Sequence, residues 1–133
     1  LVEYCAANGI AVTAHSSMGG QNNAMKAFHA SPPLTDDATV ARIAAKHATS
    51  PQLVLLAWGM QRPAAPTAII PKSVTPARIE SNLKDVLAVA LDADDLAALA
   101  ALDKPGLEGC YCHPRTPWLG RSEFTGSTAH YYG

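Results

Sequence analysis

The sequence predicts an α/β chain built on a parallel sheet. Three observations lead there: short β-branched runs at 10–14 and 68–70, helical periodicity around them, and the order helix, strand, helices, strand, helices. Strands separated by helical crossovers run parallel, because a hairpin has no room for a helix. Two parallel strands leave sheet edges and faces to be covered. The chain is therefore expected to be incomplete as a domain and to need another polypeptide segment beside its strands.

At the N-terminus, Glu3 to Asn8 continues an apolar pattern in which Val2, Cys5 and Ala6 share a helical face, and Asn8-Gly9 is a helix stop. Ile10 to Ala14 reads as a buried strand, with His15-Ser16-Ser17-Met18-Gly19-Gly20 at its C-terminal end. Gln21 to Pro33 reads as a loop. Thr35 or Asp36 is the expected cap of a helix reaching about Ala48, with Val40, Ile43, Ala44 and His47 on one face. Ser50-Pro51 starts a second helix, and the apolar run Leu53 to Met60 buries it. Ala68-Ile69-Ile70 is the second strand. Thr75-Pro76 opens a helix to about Asp85, and Leu91-Asp92 opens a last one, Ala93 to Leu102, with an acidic first turn that suits the helix dipole.

Composition narrows the partners. The 133 residues carry a formal charge of −1, which gives no reason to expect nucleic acid or an anionic membrane. No apolar run approaches the roughly 20 residues a membrane span needs. Residue 1 is Leu, compatible with a processed or a partial chain. Three cysteines, two of them in Cys110-x-Cys112, do not resemble a disulfide framework and point to a reducing, cytoplasmic setting. Cys110, Cys112 and His113 lack the spacing of the common zinc motifs, so no metal is expected.

The stretch from Ile70 to Asn82 carries the most chemistry. It reads as a strand end, a short turn and a helix start, where free N–H groups and the helix dipole favour an anion. Lys72 precedes the turn, Arg78 lies in the first helical turn, and Ser73 and Thr75 supply hydroxyls. Two cations and hydroxyls at such a place suit a phosphate monoester. The bland alternative is a helix cap at Thr75 with solvated Lys72 and Arg78.

The run Ile70-Pro71-Lys72-Ser73-Val74-Thr75-Pro76, followed by Arg78-Ile79 and Asn82, resembles a signature of the aldo-keto reductase superfamily that follows the eighth barrel strand. Ala14-His15-Ser16-Ser17-Met18-Gly19 looks like the family's seventh strand and loop, and the spacing between the two, with the helix bearing Trp58, fits as well. The resemblance covers about residues 1–103 and implies the C-terminal part of a (β/α)8 TIM barrel, about two barrel strands with helices, followed by an extended tail, 104–133. It implies NADP(H) as cofactor and reduction of a small aldehyde or ketone. Lys72 and Arg78 would then hold the adenosine 2′-phosphate with Ser73 and Thr75, and the Val74 backbone would lie along it. Asn82 would bond the adenine, Ser16 and Met18 would lie along the pyrophosphate, and His15 would stack on the nicotinamide.

Three positions depart from the family pattern: His15 replaces an aromatic, often Tyr; Gly20 replaces a Ser; Ser81 replaces a Glu. The family's catalytic Asp, Tyr, Lys and His precede the matching segment, and no such set stands here, so this segment alone is expected to be inactive. Ser16, Asp36 and His47 give no sign of converging as a triad. Trp118, Phe124, Tyr131 and Tyr132 in the tail are candidate substrate contacts or ordinary packing. The competing expectation is a non-catalytic structural or binding subunit of reductase ancestry in a larger assembly.

Overall fold

The computed structural model describes residues 1–19, 33–63 and 67–104. Among them, helices α1 (Val2–Ala7), α2 (Ala38–Lys46), α3 (Pro51–Gln61), α4 (Pro76–Leu83) and α5 (Ala93–Ala100) surround strands β1 (Val12–Ala14) and β2 (Thr67–Ile69), with 3-10 turns at Leu34–Asp36 and Asp85–Ala88. The strands are parallel, in the register Val12 to Thr67, Thr13 to Ala68 and Ala14 to Ile69. The parallel α/β reading of the sequence therefore holds.

Local chemistry explains most boundaries. The Asn8 side chain donates to the Tyr4 carbonyl, Gly9 takes φ 66°, and the Ile10 N–H returns to the Cys5 carbonyl. That closure of α1 uses Ile10, so β1 begins at Val12 rather than at residue 10. Asp37, not Thr35 or Asp36, caps α2, its carboxylate accepting the Thr39 N–H at 2.8 Å. The two earlier candidates belong to the 3-10 turn ahead of it. Ser50 caps α3 and Pro51 occupies its first turn, as the sequence predicts. α4 stops at Leu83 and passes into the Asp85–Ala88 turn. α5 ends at Ala100, two residues before the expected Leu102, and opens with a capping box between Asp92 and Asp95.

Burial centres on α3. Leu53, Val54, Leu55, Leu56, Ala57 and Gly59 are buried, while Met60 is exposed. One cluster joins Val40, Ile43 and Ala44 of α2 to Val54 and Leu55 of α3 and Leu99 of α5. A second joins Leu53, Leu56 and Ala57 to Val86 and Val89. The expected α2 face is thus the buried one, and His47 at its end is half-buried. Trp58 packs against the first cluster, and the Arg62 guanidinium sits 5.2 Å from its ring centroid, within cation–π range. Gly59 lies where α3 crosses β2: a Cβ there would meet the Ile69 Cγ2 at 3.2 Å.

The sheet differs from the expectation of a buried strand. Val12 and Ala14 are half-buried and Thr13 and Ile10 are exposed. Ala6 is likewise exposed, leaving Cys5, a free thiol, as the buried residue of α1. The cause is that β1 and β2 pair only with each other among the described residues, so each keeps an open edge. Leu1, Tyr4, Ile79, Leu83 and Leu87 are also large exposed hydrophobics.

No described helix is long and apolar enough to cross a membrane. The expected loop from Gln21 to Pro33, apart from Pro33 itself, and the tail beyond Lys104 lie outside the described residues. So do Gly20, Cys110, Cys112, His113, Trp118, Phe124, Tyr131 and Tyr132.

Candidate functional site

Parallel pairing decides where the site residues stand. Ala14 and Ile69 are partners at the ends of their strands, so the segments after each leave the sheet on the same side. One segment is His15 to Gly19; the other is Ile70 to Thr75, running into α4. This is the side on which ligand-binding loops of parallel α/β folds collect.

The first segment is a tight turn. The Gly19 N–H bonds the Ser16 carbonyl at 2.8 Å, and the Ser17 hydroxyl donates to the Ala14 carbonyl at 3.0 Å. Ser16 takes φ 56°, a conformation that usually belongs to glycine, and buried Gly19 takes φ 85°. The Ser16 hydroxyl and the His15 Nδ1 are 2.8 Å apart, and the His15 ring is exposed. Met18 is half-buried, with its side chain against both core clusters.

The second segment leaves the strand at Ile70, which is exposed, and bends at Val74 and Thr75. The Ser73 hydroxyl accepts the Thr75 N–H at 3.1 Å, shaping the approach to α4. Thr75 is the residue before the helix, but its side chain makes no capping bond. Thr75 thus holds the cap position by its backbone, and the exposed Lys72 and Arg78 leave both the anion-site reading and the solvated-cation reading open. The Arg78 and Ile79 N–H groups both return to the Thr75 carbonyl at 3.0 Å. Pro76 has no N–H, so it suits the first helical position.

The two cations flanking this helix start, Lys72 and Arg78, are exposed and make no ion pair among the described residues. Lys84, farther along α4, is already engaged with Glu80 at 2.7 Å, one turn away. Val74 projects into solvent, 80% exposed, while Ser73 and Asn82 are half-buried. Two exposed cations and two hydroxyls thus stand within seven residues of one another in the chain, around a helix start without a side-chain cap. Chemically such a set fits a dianionic oxyanion.

Sequence reasoning missed a second charged constellation. Asp95 is 2% exposed, yet its carboxylate receives the Lys46 Nζ at 2.9 Å and the Asp92 N–H at 3.3 Å, and lies 2.6 Å from the His47 Nε2. Burial pushes the Asp95 carboxyl up. The bonds from His47, Lys46 and the Asp92 backbone outweigh it and hold the group well below the usual carboxylate range. The hydrogen bond to Asp92, helped by that to Asp95, raises the Lys46 ammonium, and Lys46 in turn lowers Asp92. The available signal was an acidic residue at the third position of a capped helix; its partners lie 48 and 49 residues away.

That constellation also bears on the triad considered from sequence. His47 is bonded to Asp95 and the Ser16 hydroxyl to His15, while Asp36 lies in the 3-10 turn, so no hydrogen-bonded series links the three. Among the described residues, no group of three His, Cys, Asp or Glu could hold a metal.

Comparison with known proteins gives a consistent answer. The aldo/keto reductase family model matches residues 1–104. The NAD(P)H-dependent D-xylose reductase of Scheffersomyces stipitis is 47% identical over 107 residues, which cover 77% of this chain and 32% of that protein. A probable NAD(P)H-dependent D-xylose reductase of Aspergillus clavatus is 39% identical, over 78% of this chain and 31% of that protein. Among solved structures, the aldose reductase of Giardia lamblia matches with a TM-score of 0.60 and 39% identity, covering 76% of this chain and 31% of its own. A silkworm (Bombyx mori) aldo-keto reductase matches with a TM-score of 0.70 and 27% identity, covering 93% of this chain and 35% of its own. The chain thus spans about a third of the length of these relatives. With its parallel strands and helices forming part of a (β/α)8 barrel, it belongs to the aldo/keto reductase family.

Proposed function

We propose that this chain supplies the adenosine-phosphate site of an NADP(H)-dependent reductase acting on small aldehydes or ketones. The carrying observation is the pair Lys72 and Arg78, exposed and without an acidic partner among the described residues, on either side of a helix start that lacks a side-chain cap. In this reading both cations hold the 2′-phosphate, with Ser73 and Thr75 adding hydroxyls and the Val74 backbone alongside. Asn82 bonds the adenine. Ser16 and Met18 lie along the pyrophosphate, and His15 stacks against the nicotinamide. When bound, the reduced dinucleotide supplies the hydride; the residues here bind and orient it.

The xylose reductases that this chain resembles are NAD(P)H-dependent, which supports a nicotinamide cofactor here; the choice of NADP(H) rests on Lys72 and Arg78. No described residue takes the part of the acid that protonates the carbonyl oxygen. That role and substrate selection fall to other parts of a complete barrel, and this segment alone is inactive. The open edges of β1 and β2 and the exposed Leu1, Tyr4, Ile79, Leu83 and Leu87 support the same division, because they are surfaces for further strands and helices to cover.

The test is kinetic. In the protein that carries this chain, Lys72→Ala with Arg78→Ala raises the KM for NADPH far more than that for NADH. Equal effects on both cofactors contradict the assignment.

A further inference from the structure

In the turn after β1, the Ser17 hydroxyl bonds its own strand, and the His15 and Ser16 side chains bond each other. Met18 reaches the core. Its side chain packs against both clusters, the one containing Val40, Ile43 and Leu99 and the one containing Leu56, Val86 and Val89. It occupies the seam where the helices behind the sheet meet. A flexible thioether suits such a junction, since it fills irregular space between two packed groups.

The residues beside this anchor have demanding backbones. Ser16 is held at φ 56°, which costs a side-chain-bearing residue free energy unless its surroundings enforce it. Gly19 is buried at φ 85°, and its N–H closes the turn on the Ser16 carbonyl. The hydrogen bonds of the turn are local and would survive its drifting off the core. The packing of Met18 is what ties its position to α2, α3 and α5.

We propose that Met18 is a positioning residue. By docking into the seam between the two clusters, it holds Ser16 in its left-handed conformation and fixes the turn at the height the dinucleotide's pyrophosphate requires. The proposal rests on the cofactor reading above but adds a distinct role: Met18 acts through the backbone of Ser16, with its side chain directed at the core.

The experiment measures two quantities in the protein that carries this chain: amide hydrogen exchange across residues 14–19, and NADP⁺ dissociation constants by fluorescence titration. Met18→Ala accelerates exchange in the turn, leaves α3 protected, and weakens NADP⁺ binding by about tenfold. Met18→Leu restores both, because it refills the seam. Should Met18→Ala fail to fold, Met18→Val makes the smaller truncation and is read the same way. Unchanged exchange at 15–19, or acceleration spread equally through α2, α3 and α5, overturns the positioning role. Lys72→Ala in the same titration separates the two readings. If it too leaves NADP⁺ binding unchanged, the cofactor reading fails, and the exchange result still decides whether Met18 anchors the turn.

Discussion

Asp95→Asn removes a buried charge while nearly preserving side-chain volume. Asp95 is almost fully buried and is held by Lys46, His47 and the Asp92 backbone. Removing one member of a buried ion pair costs about 3–5 kcal/mol when the other is left stranded. Here Lys46 is 42% exposed and keeps Asp92, so it returns partly to water, whereas His47, 19% exposed, loses its carboxylate. The expected loss is therefore lower, about 2–3 kcal/mol. Urea unfolding of the protein that carries this chain measures it as a lower midpoint at constant slope. The pH dependence gives a second check. The Asp95 carboxyl is depressed in the folded state, so its stabilisation is fully present above the unfolded carboxylate pKa of about 4 and fades as pH falls toward the folded value. The gap between wild type and Asp95→Asn therefore narrows as pH falls below about 4. A loss under about 0.5 kcal/mol, or a gap that widens as pH falls below about 4, refutes the reasoning.

Three further outcomes follow from the backbone and packing, each read by the same unfolding measurement. Ala48 sits at φ 49° after the end of α2, where glycine is at home, so Ala48→Gly stabilises by about 0.5–1 kcal/mol; a destabilisation contradicts the strain. Asp37→Ala removes the carboxylate that accepts the Thr39 and Val40 N–H groups and costs about 1 kcal/mol, with no loss expected if the cap is idle. Gly59→Val forces carbon into the 3.2 Å approach to Ile69 and costs about 2 kcal/mol; a neutral result would mean that α3 and β2 yield freely.

The parts of this fold legible in the sequence are the local ones. The capping serine and proline of α3, the Asn8-Gly9 stop and the alternation of strands with helices are written within a few residues of where they act. Boundaries moved where neighbours competed. Thr35, Asp36 and Asp37 are adjacent and each can cap, but Leu34–Asp36 curls into a 3-10 turn and leaves the role to Asp37. Ile70 reads as strand by its β-branched side chain, but it precedes Pro71 and falls outside the pairing.

The residues proposed for the phosphate site are named from sequence for the same reason, because a strand end, turn and helix start are contiguous in the chain. What the sequence hides is convergence. Asp95 reads as a first-turn acid suited to the helix dipole, and its burial against His47 emerges only when α5 packs on α2. Met18 reads as a loop residue at a ligand surface, and only the packed core reveals that its side chain turns inward.

In the proposed function, Lys72 and Arg78 recognise a phosphate on the adenosine ribose. Its most direct test is a pair of calorimetric titrations, NADP⁺ and NAD⁺, on the protein that carries this chain and on its Lys72→Ala, Arg78→Ala form. NADP⁺ is expected to bind at least about tenfold more tightly than NAD⁺ to the unaltered protein, and the double substitution to abolish the difference. A preference for NADP⁺ that survives the loss of both cations would contradict it.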